Sequence, residues 1–159
     1  MKIWFLILGL FALTNALPVT QASGFAAESE TLAVPSGAGA ITIRISGLRN
    51  SDGSVSVGLF NAKKGFPGKF DKALEVLTVP ASAEPVVVFY NVPWGAYAVA
   101  VRHDENGNGK LDTNFLGMPK EGVGTSNNPR TSFGPPSFKD ASFMLEEDKL
   151  DLTINLKYL

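Results

Sequence analysis

The runs Ile41-Thr42-Ile43-Arg44-Ile45-Ser46 and Ser54-Val55-Ser56-Val57-Gly58-Leu59, separated by Asn50-Ser51-Asp52-Gly53, decide the fold class of this chain. In both runs apolar and polar residues alternate with a period of two, which puts the apolar side chains on one face of an extended strand. The intervening Asn, Ser, Asp and Gly are turn formers, so the two runs read as antiparallel partners. The same alternation returns at the end of the chain, where Leu150, Leu152, Ile154 and Leu156 are separated by polar residues.

Working outward, Leu74, Val76 and Val79 suggest a further strand. The β-branched run Val86-Val87-Val88-Phe89-Tyr90 reads as a central strand covered on both faces. Val92-Pro93-Trp94-Gly95 makes a turn. Tyr97, Val99 and Val101 alternate with Ala96, Ala98 and Ala100, and Ala141, Phe143 and Leu145 repeat the pattern. Residues 61–72 break it and read as a loop. Residues 113–137, rich in glycine and proline, form one long irregular loop of a kind that is usually functional. About seven short strands without a helical segment predict an all-β fold, a single antiparallel β-sandwich.

The first residues predict the compartment. Met1-Lys2 is a positive start, and the apolar run 3–13 that follows is about half the length needed to span a membrane. Residues 1–22 are therefore expected to be a signal peptide, cleaved between 16 and 27, followed by a flexible leader 23–39 and the sandwich domain 40–159. No stable membrane insertion is expected after its removal. The chain has no cysteine, hence no disulfide, thiolate metal site or lipidated cysteine. Together with the absence of an Asn-x-Ser/Thr acceptor, this suits a bacterial periplasm or cell exterior. Loss of Lys2 shifts the formal net charge from −1 to about −2. Basic residues are scattered, so no nucleic-acid partner is implied.

The chemistry-bearing stretch is His103-Asp104-Glu105-Asn106-Gly107-Asn108-Gly109-Lys110-Leu111-Asp112. Asp104, Asn106, Asn108 and Asp112 stand at the first, third, fifth and ninth positions of an EF-hand type loop. Gly109 stands at its sharp turn, and Lys110 offers a carbonyl. The twelfth position, where a bidentate glutamate belongs, holds Phe115, so Glu121 is the candidate to close the site. The expectation is a weak structural calcium site, with affinity in the ~10⁻⁴ to 10⁻³ M range of extracellular modules. Two Asn-Gly dipeptides also make a hairpin turn without any metal, and Glu121 alternatively reads as an exposed loop charge.

Other constellations support rival functions. His103 with Ser126, Ser132 or Ser137 would be the start of a hydrolytic site, but nothing resembles a nucleophile elbow. Phe66, Phe70, Trp94, Phe115, Phe133 and Phe138 lie in or beside loops, which suits either a carbohydrate-binding face or, more simply, aromatics capping the core. The leading expectation is a non-enzymatic exported protein with a protein or glycan partner.

Gly95-Ala96-Tyr97-Ala98, the stretch 103–112, Gly117-Met118-Pro119-Lys120-Glu121-Gly122, Ser126-Asn127-Asn128, Gly134-Pro135-Pro136-Ser137-Phe138 and Ala141 together resemble an exported bacterial family, the domain of unknown function numbered twenty-one forty-one. The resemblance runs from the Ile41 strand to the Leu156 strand. It implies a small exported domain with an immunoglobulin-like or transthyretin-like (prealbumin-like) sandwich, and it brings no catalytic residue with it.

Overall fold

The computed structural model describes residues 37–130 and 134–159. The signal peptide and most of the leader, together with Ser132 and Phe133, lie outside the described residues. Eight strands follow in chain order: β1 (Ala38–Ser46), β2 (Ser54–Phe60), β3 (Glu75–Pro80), β4 (Val86–Pro93), β5 (Gly95–Asp104), β6 (Gly122–Thr125), β7 (Phe143–Leu145) and β8 (Lys149–Asn155). A single helical turn, α1 (Phe138–Ala141), precedes β7.

The strands form two sheets, and the fold is an all-β sandwich. One sheet has the order β4-β1-β8, with β1 antiparallel to β4 and parallel to β8. The other has the order β3-β2-β5-β6, and β7 pairs with the first residues of β5. Beyond β8 the chain crosses to the second sheet, where Lys157 bridges Val123 of β6.

The core is what the alternation predicts. Ile41, Ile43 and Ile45 from β1 and Phe89 from β4 meet Val55, Val57 and Leu59 from β2 and Val99 and Val101 from β5. Each such side chain, fully withdrawn from water, contributes roughly 1.5–3 kcal/mol. The other face of β5 is covered as well, since Ala98 and Ala100 are also buried. On that face Gly58, opposite Ala100, lies under Phe70, and Phe60, Phe66, Phe70 and Phe138 stack edge to face with centroids 5.3–6.2 Å apart.

Four expectations are corrected. β1 and β2 are not partners: the connection between them crosses from one sheet to the other, so their apolar faces meet across the core. Alternation identifies an apolar face but not whether it lies beside or opposite its neighbour. Val86–Pro93 is an edge strand, with Val86 45% and Tyr90 70% exposed, and the strands buried on both faces are β2 and β5. A β-branched run reads alike in both places. Ala141 ends the helical turn instead of belonging to a strand; Ser137 starts that turn with a reciprocal capping box to Asp140. Finally, the long irregular stretch contains β6, whose four residues are too few to show a period.

The candidate metal loop and its hairpin

β5 carries the site. Its last residues, His103 and Asp104, are held between β2 (Val55 opposite His103, Ser54 opposite Asp104) and β6 (Gly122 opposite His103). Residues 105–121 are the whole connection from β5 to β6, and it folds in two parts.

The first part wraps around Asp104. This carboxylate is only 3% exposed. Its Oδ1 accepts from the Asn108 N–H (3.1 Å) and its Oδ2 from the Gly109 N–H (2.7 Å). Asn106 Oδ1 accepts from the Asn108 N–H (3.1 Å), and Asn108 Oδ1 accepts from the Lys110 N–H (2.7 Å). These are the local side-chain-to-backbone bonds that Asn and Asp favour in turns. Gly109 has φ +73°, where a side chain would be strained.

The second part is a hairpin. The Lys120 N–H donates to the Asp112 carbonyl (2.9 Å), Thr113 bridges Pro119, and the Asn114 N–H donates to the Met118 carbonyl (2.8 Å). At the tip, Asn114 Oδ1 accepts from both the Leu116 N–H (2.9 Å) and the Met118 N–H (3.0 Å).

Asp112 and Glu121 join the two parts. Asp112 Oδ2 accepts from Asn106 Nδ2 (2.7 Å), and both Asp112 oxygens accept from Asn108 Nδ2 (3.1 Å). Glu121, 3% exposed, lies beneath the connection. Its Oε1 accepts from the Glu105 N–H (3.1 Å) and its Oε2 from the Asp112 N–H (3.1 Å). The reading of Glu121 as an exposed loop charge is therefore corrected: it is a buried clamp across the start and the middle of the connection. Asp104, Asn106, Asn108 and Asp112 are brought into one hydrogen-bonded group, while Lys110 is exposed and takes part through its backbone.

Beside this group stands a polar network that no sequence pattern announced. Arg49 grips Glu105 through Nε (2.7 Å) and Nη2, and Asn50 Nδ2 adds a bond of 2.8 Å. The Arg49 guanidinium holds the Glu105 carboxyl below the usual glutamate range, with Asn50 assisting. Arg49 also lies 4.5 Å over the Tyr158 ring. His103, fully buried, is pinned between the Tyr158 hydroxyl (Nδ1, 2.7 Å) and the Asp52 carbonyl (Nε2, 2.7 Å). A carbonyl only accepts, so Nε2 is the protonated nitrogen. Burial pushes the Tyr158 hydroxyl up from its ordinary value.

His103 thus supports the strand end from both ring nitrogens. Ser126, buried, donates to the Ala141 carbonyl (2.6 Å) and accepts from the Val99 N–H (2.9 Å), and Ser137 caps α1. Neither serine bonds to His103. The loop aromatics divide in the same way: Phe66, Phe70 and Phe138 cap the sheet, Trp94 packs partly buried against the core, and Phe115 is 95% exposed.

For metal binding the donor set is mixed in its fit. Every side-chain donor of the loop is an oxygen, as calcium requires, and the Lys110 carbonyl accepts no hydrogen bond among the described residues. The amide nitrogens of Asn106 and Asn108, however, face Asp112, so each amide must turn over to offer its oxygen there. No group of three or more His, Asp or Glu side chains is arranged to hold a metal among the described residues.

No curated protein and no solved structure matches the chain. A family model described as "uncharacterized protein conserved in bacteria" matches residues 43–153, which takes in β2 to β7 whole, parts of β1 and β8, and the entire β5–β6 connection. On that match the chain belongs to the DUF2141 family.

Proposed function

We propose that this chain is an exported, non-enzymatic β-sandwich whose β5–β6 connection takes up a structural calcium ion and presents its hairpin to a partner. The observation that carries the reading is a charge imbalance. Asp104 and Glu121 are both 3% exposed, Asp112 adjoins them, and none of the three has an ion-pair partner among the described residues. Withdrawing carboxylates from water is costly, and the one cation that acts on Glu121 through space, Arg49, is already engaged by Glu105. A calcium ion among Asp104, Asn106, Asn108, Lys110 and Asp112, with Glu121 closing from below, would supply that charge.

The chemistry calcium supplies is electrostatic: it offsets the mutual repulsion of the carboxylates. The chain's own residues already hold the loop, since Glu121 and Asp104 clamp backbone N–H groups without it. The reading is therefore one of added rigidity. Two aspartates and neutral amides support a dissociation constant of ~10⁻⁴ to 10⁻³ M. The pocket lined by Arg44, Glu84 and Thr153, at about 190 Å³, is smaller than the ~300 Å³ where ligand sites usually begin. Calorimetric titration with calcium should show one saturable event in that range, absent in Asp112→Ala. No saturable heat in the wild type, or an undiminished one in the variant, overturns the reading.

A further inference from the structure

We infer that Asn106 is a site of spontaneous covalent modification: the Gly107 amide nitrogen closes on the Asn106 side-chain amide, and the side chain becomes a carboxylate that adds a negative charge to the β5–β6 connection. Asn108, in the same kind of dipeptide two residues on, is held unreactive by the fold. The modification itself does not depend on calcium. Its effect on calcium affinity rests on the reading proposed above.

In an Asn-Gly dipeptide the glycine nitrogen can reach Cγ of the asparagine, because glycine has no side chain in the way and adopts backbone angles that strain other residues. The chain has two such dipeptides, Asn106-Gly107 and Asn108-Gly109. Both are exposed. Their glycines have φ +69° and +73°, and a Cβ on either would meet nothing nearby. The two asparagine side chains are also bonded alike. Asn106 Oδ1 accepts from the Asn108 N–H (3.1 Å) and Asn108 Oδ1 from the Lys110 N–H (2.7 Å), while both Nδ2 atoms donate to Asp112. In each case a backbone N–H is placed to stabilise the oxyanion that forms on Oδ1 during attack.

The attacking nitrogens differ. The Gly109 N–H donates to Asp104 Oδ2 (2.7 Å), and that carboxylate is 3% exposed. To attack, the nitrogen has to give its proton to a base from solvent and turn toward Cγ, and the bond to Asp104 opposes both. The Gly107 N–H donates to no group among the described residues. The pair is therefore an internal control, in which one hydrogen bond separates a reactive asparagine from an unreactive one.

The reaction balances with water alone. The Gly107 nitrogen loses its proton to hydroxide and bonds to Asn106 Cγ; the Cγ–Nδ2 bond breaks, and Nδ2 leaves as ammonia. Water then opens the cyclic imide. Cleavage of the new N–Cγ bond yields aspartate, and cleavage at the original backbone carbonyl yields isoaspartate. One water is consumed, one ammonia is released, and nothing is oxidised or reduced. Where Asn106 Nδ2 donated to Asp112 Oδ2 (2.7 Å), two carboxylates then face each other and repel. Ligand charge raises calcium affinity in loops of this kind, so the modified loop should hold the ion more tightly.

The test is incubation of the purified chain at mildly alkaline pH, folded and in urea, followed by tandem mass spectrometry of the peptide 103–110, which trypsin releases at Arg102 and Lys110. In the folded chain Asn106 should gain the mass that separates Asp from Asn about tenfold faster than Asn108, or more, the effect of one charge-assisted hydrogen bond. In urea the two rates should become equal. Asp104→Ala frees the Gly109 N–H and should bring Asn108 up to the rate of Asn106; if that variant does not fold, the folded and urea-treated wild type decide the matter. No conversion of Asn106 in the folded chain, equal rates there, or Asn108 ahead overturns the inference. Calorimetric titration of Asn106→Asp should show calcium binding several-fold tighter than in wild type, and unchanged or weaker binding overturns that consequence. A failed calcium reading shows instead as no calcium heat in either chain, with conversion of Asn106 intact.

Discussion

Ile43 and Val99 face each other's sheets across the sandwich with no exposed surface, whereas Asp104 and Glu121, almost as deeply buried, are carboxylates, and nearby Phe115 stands 95% in solvent. In the sandwich, water is excluded from apolar side chains, and the backbone bonds to itself. In the β5–β6 connection, water is excluded from acidic side chains, the backbone bonds to those side chains, and the apolar residues face outward. The two regions therefore depend on different forces. The sandwich is held by apolar burial, which no single polar change away from the core disturbs much. The connection is held by a few directional bonds, each of which can be removed individually.

The largest effect that separates the regions is expected in the sandwich. Phe89→Ala empties a fully buried site and should destabilise by about 3–5 kcal/mol in urea unfolding. It should leave the exchange of the Asn108 and Gly109 amides unchanged relative to global opening. A loss under 1 kcal/mol would contradict the assignment of Phe89 to the core.

Glu121→Gln breaks the comparison from the other side. One carboxylate oxygen becomes an NH₂ facing a backbone N–H, either that of Glu105 or that of Asp112. The cost should be about 1–3 kcal/mol, and the Glu105 and Asp112 amides should exchange faster than those of β1. Unchanged protection of both amides would show that Glu121 is not a clamp.

The smallest effect is the pH dependence of the Arg49–Glu105 pair. The Glu105 carboxyl is held below its ordinary value by the Arg49 hydrogen bond first and by Asn50 after desolvation. Its contribution is therefore fully present above the unfolded glutamate value of about 4.3 and is lost as pH falls through the lower folded value. Urea midpoints measured from pH 6 downward should fall less steeply in Arg49→Met than in wild type. Parallel curves would contradict the coupling.

How much of this could be read from residues alone follows the same division. The period-two runs at Ile41–Ile45, Val55–Leu59 and Leu150–Ile154 announced strands because their apolar residues share the face turned to the core, although in β2 the small residues of the other face are buried too. They could not say which strands pair, since pairing depends on connections that cross the sandwich, nor that Val86–Tyr90 lies at an edge. In the connection, the oxygen-bearing residues of 104–112 were legible from their spacing, which turn chemistry also requires. The burial of Glu121 was not, because it depends on where residues sixteen positions apart meet. Arg49 and Tyr158 were invisible for the same reason: they reach the loop from strand ends distant in sequence. Phe115 was noticed as the residue that spoils the calcium pattern, but its exposure depends on the hairpin around it.

The central proposal, that the β5–β6 connection binds calcium, is tested most directly by thermal unfolding with chelator and with about 2 mM calcium. With a dissociation constant of ~0.1 mM, linkage predicts about 1.8 kcal/mol of stabilisation and a rise in melting temperature of about 4–7 °C. The rise should vanish in Asp112→Ala. A wild-type melting temperature unmoved by calcium, or an equal rise in Asp112→Ala, would contradict the account.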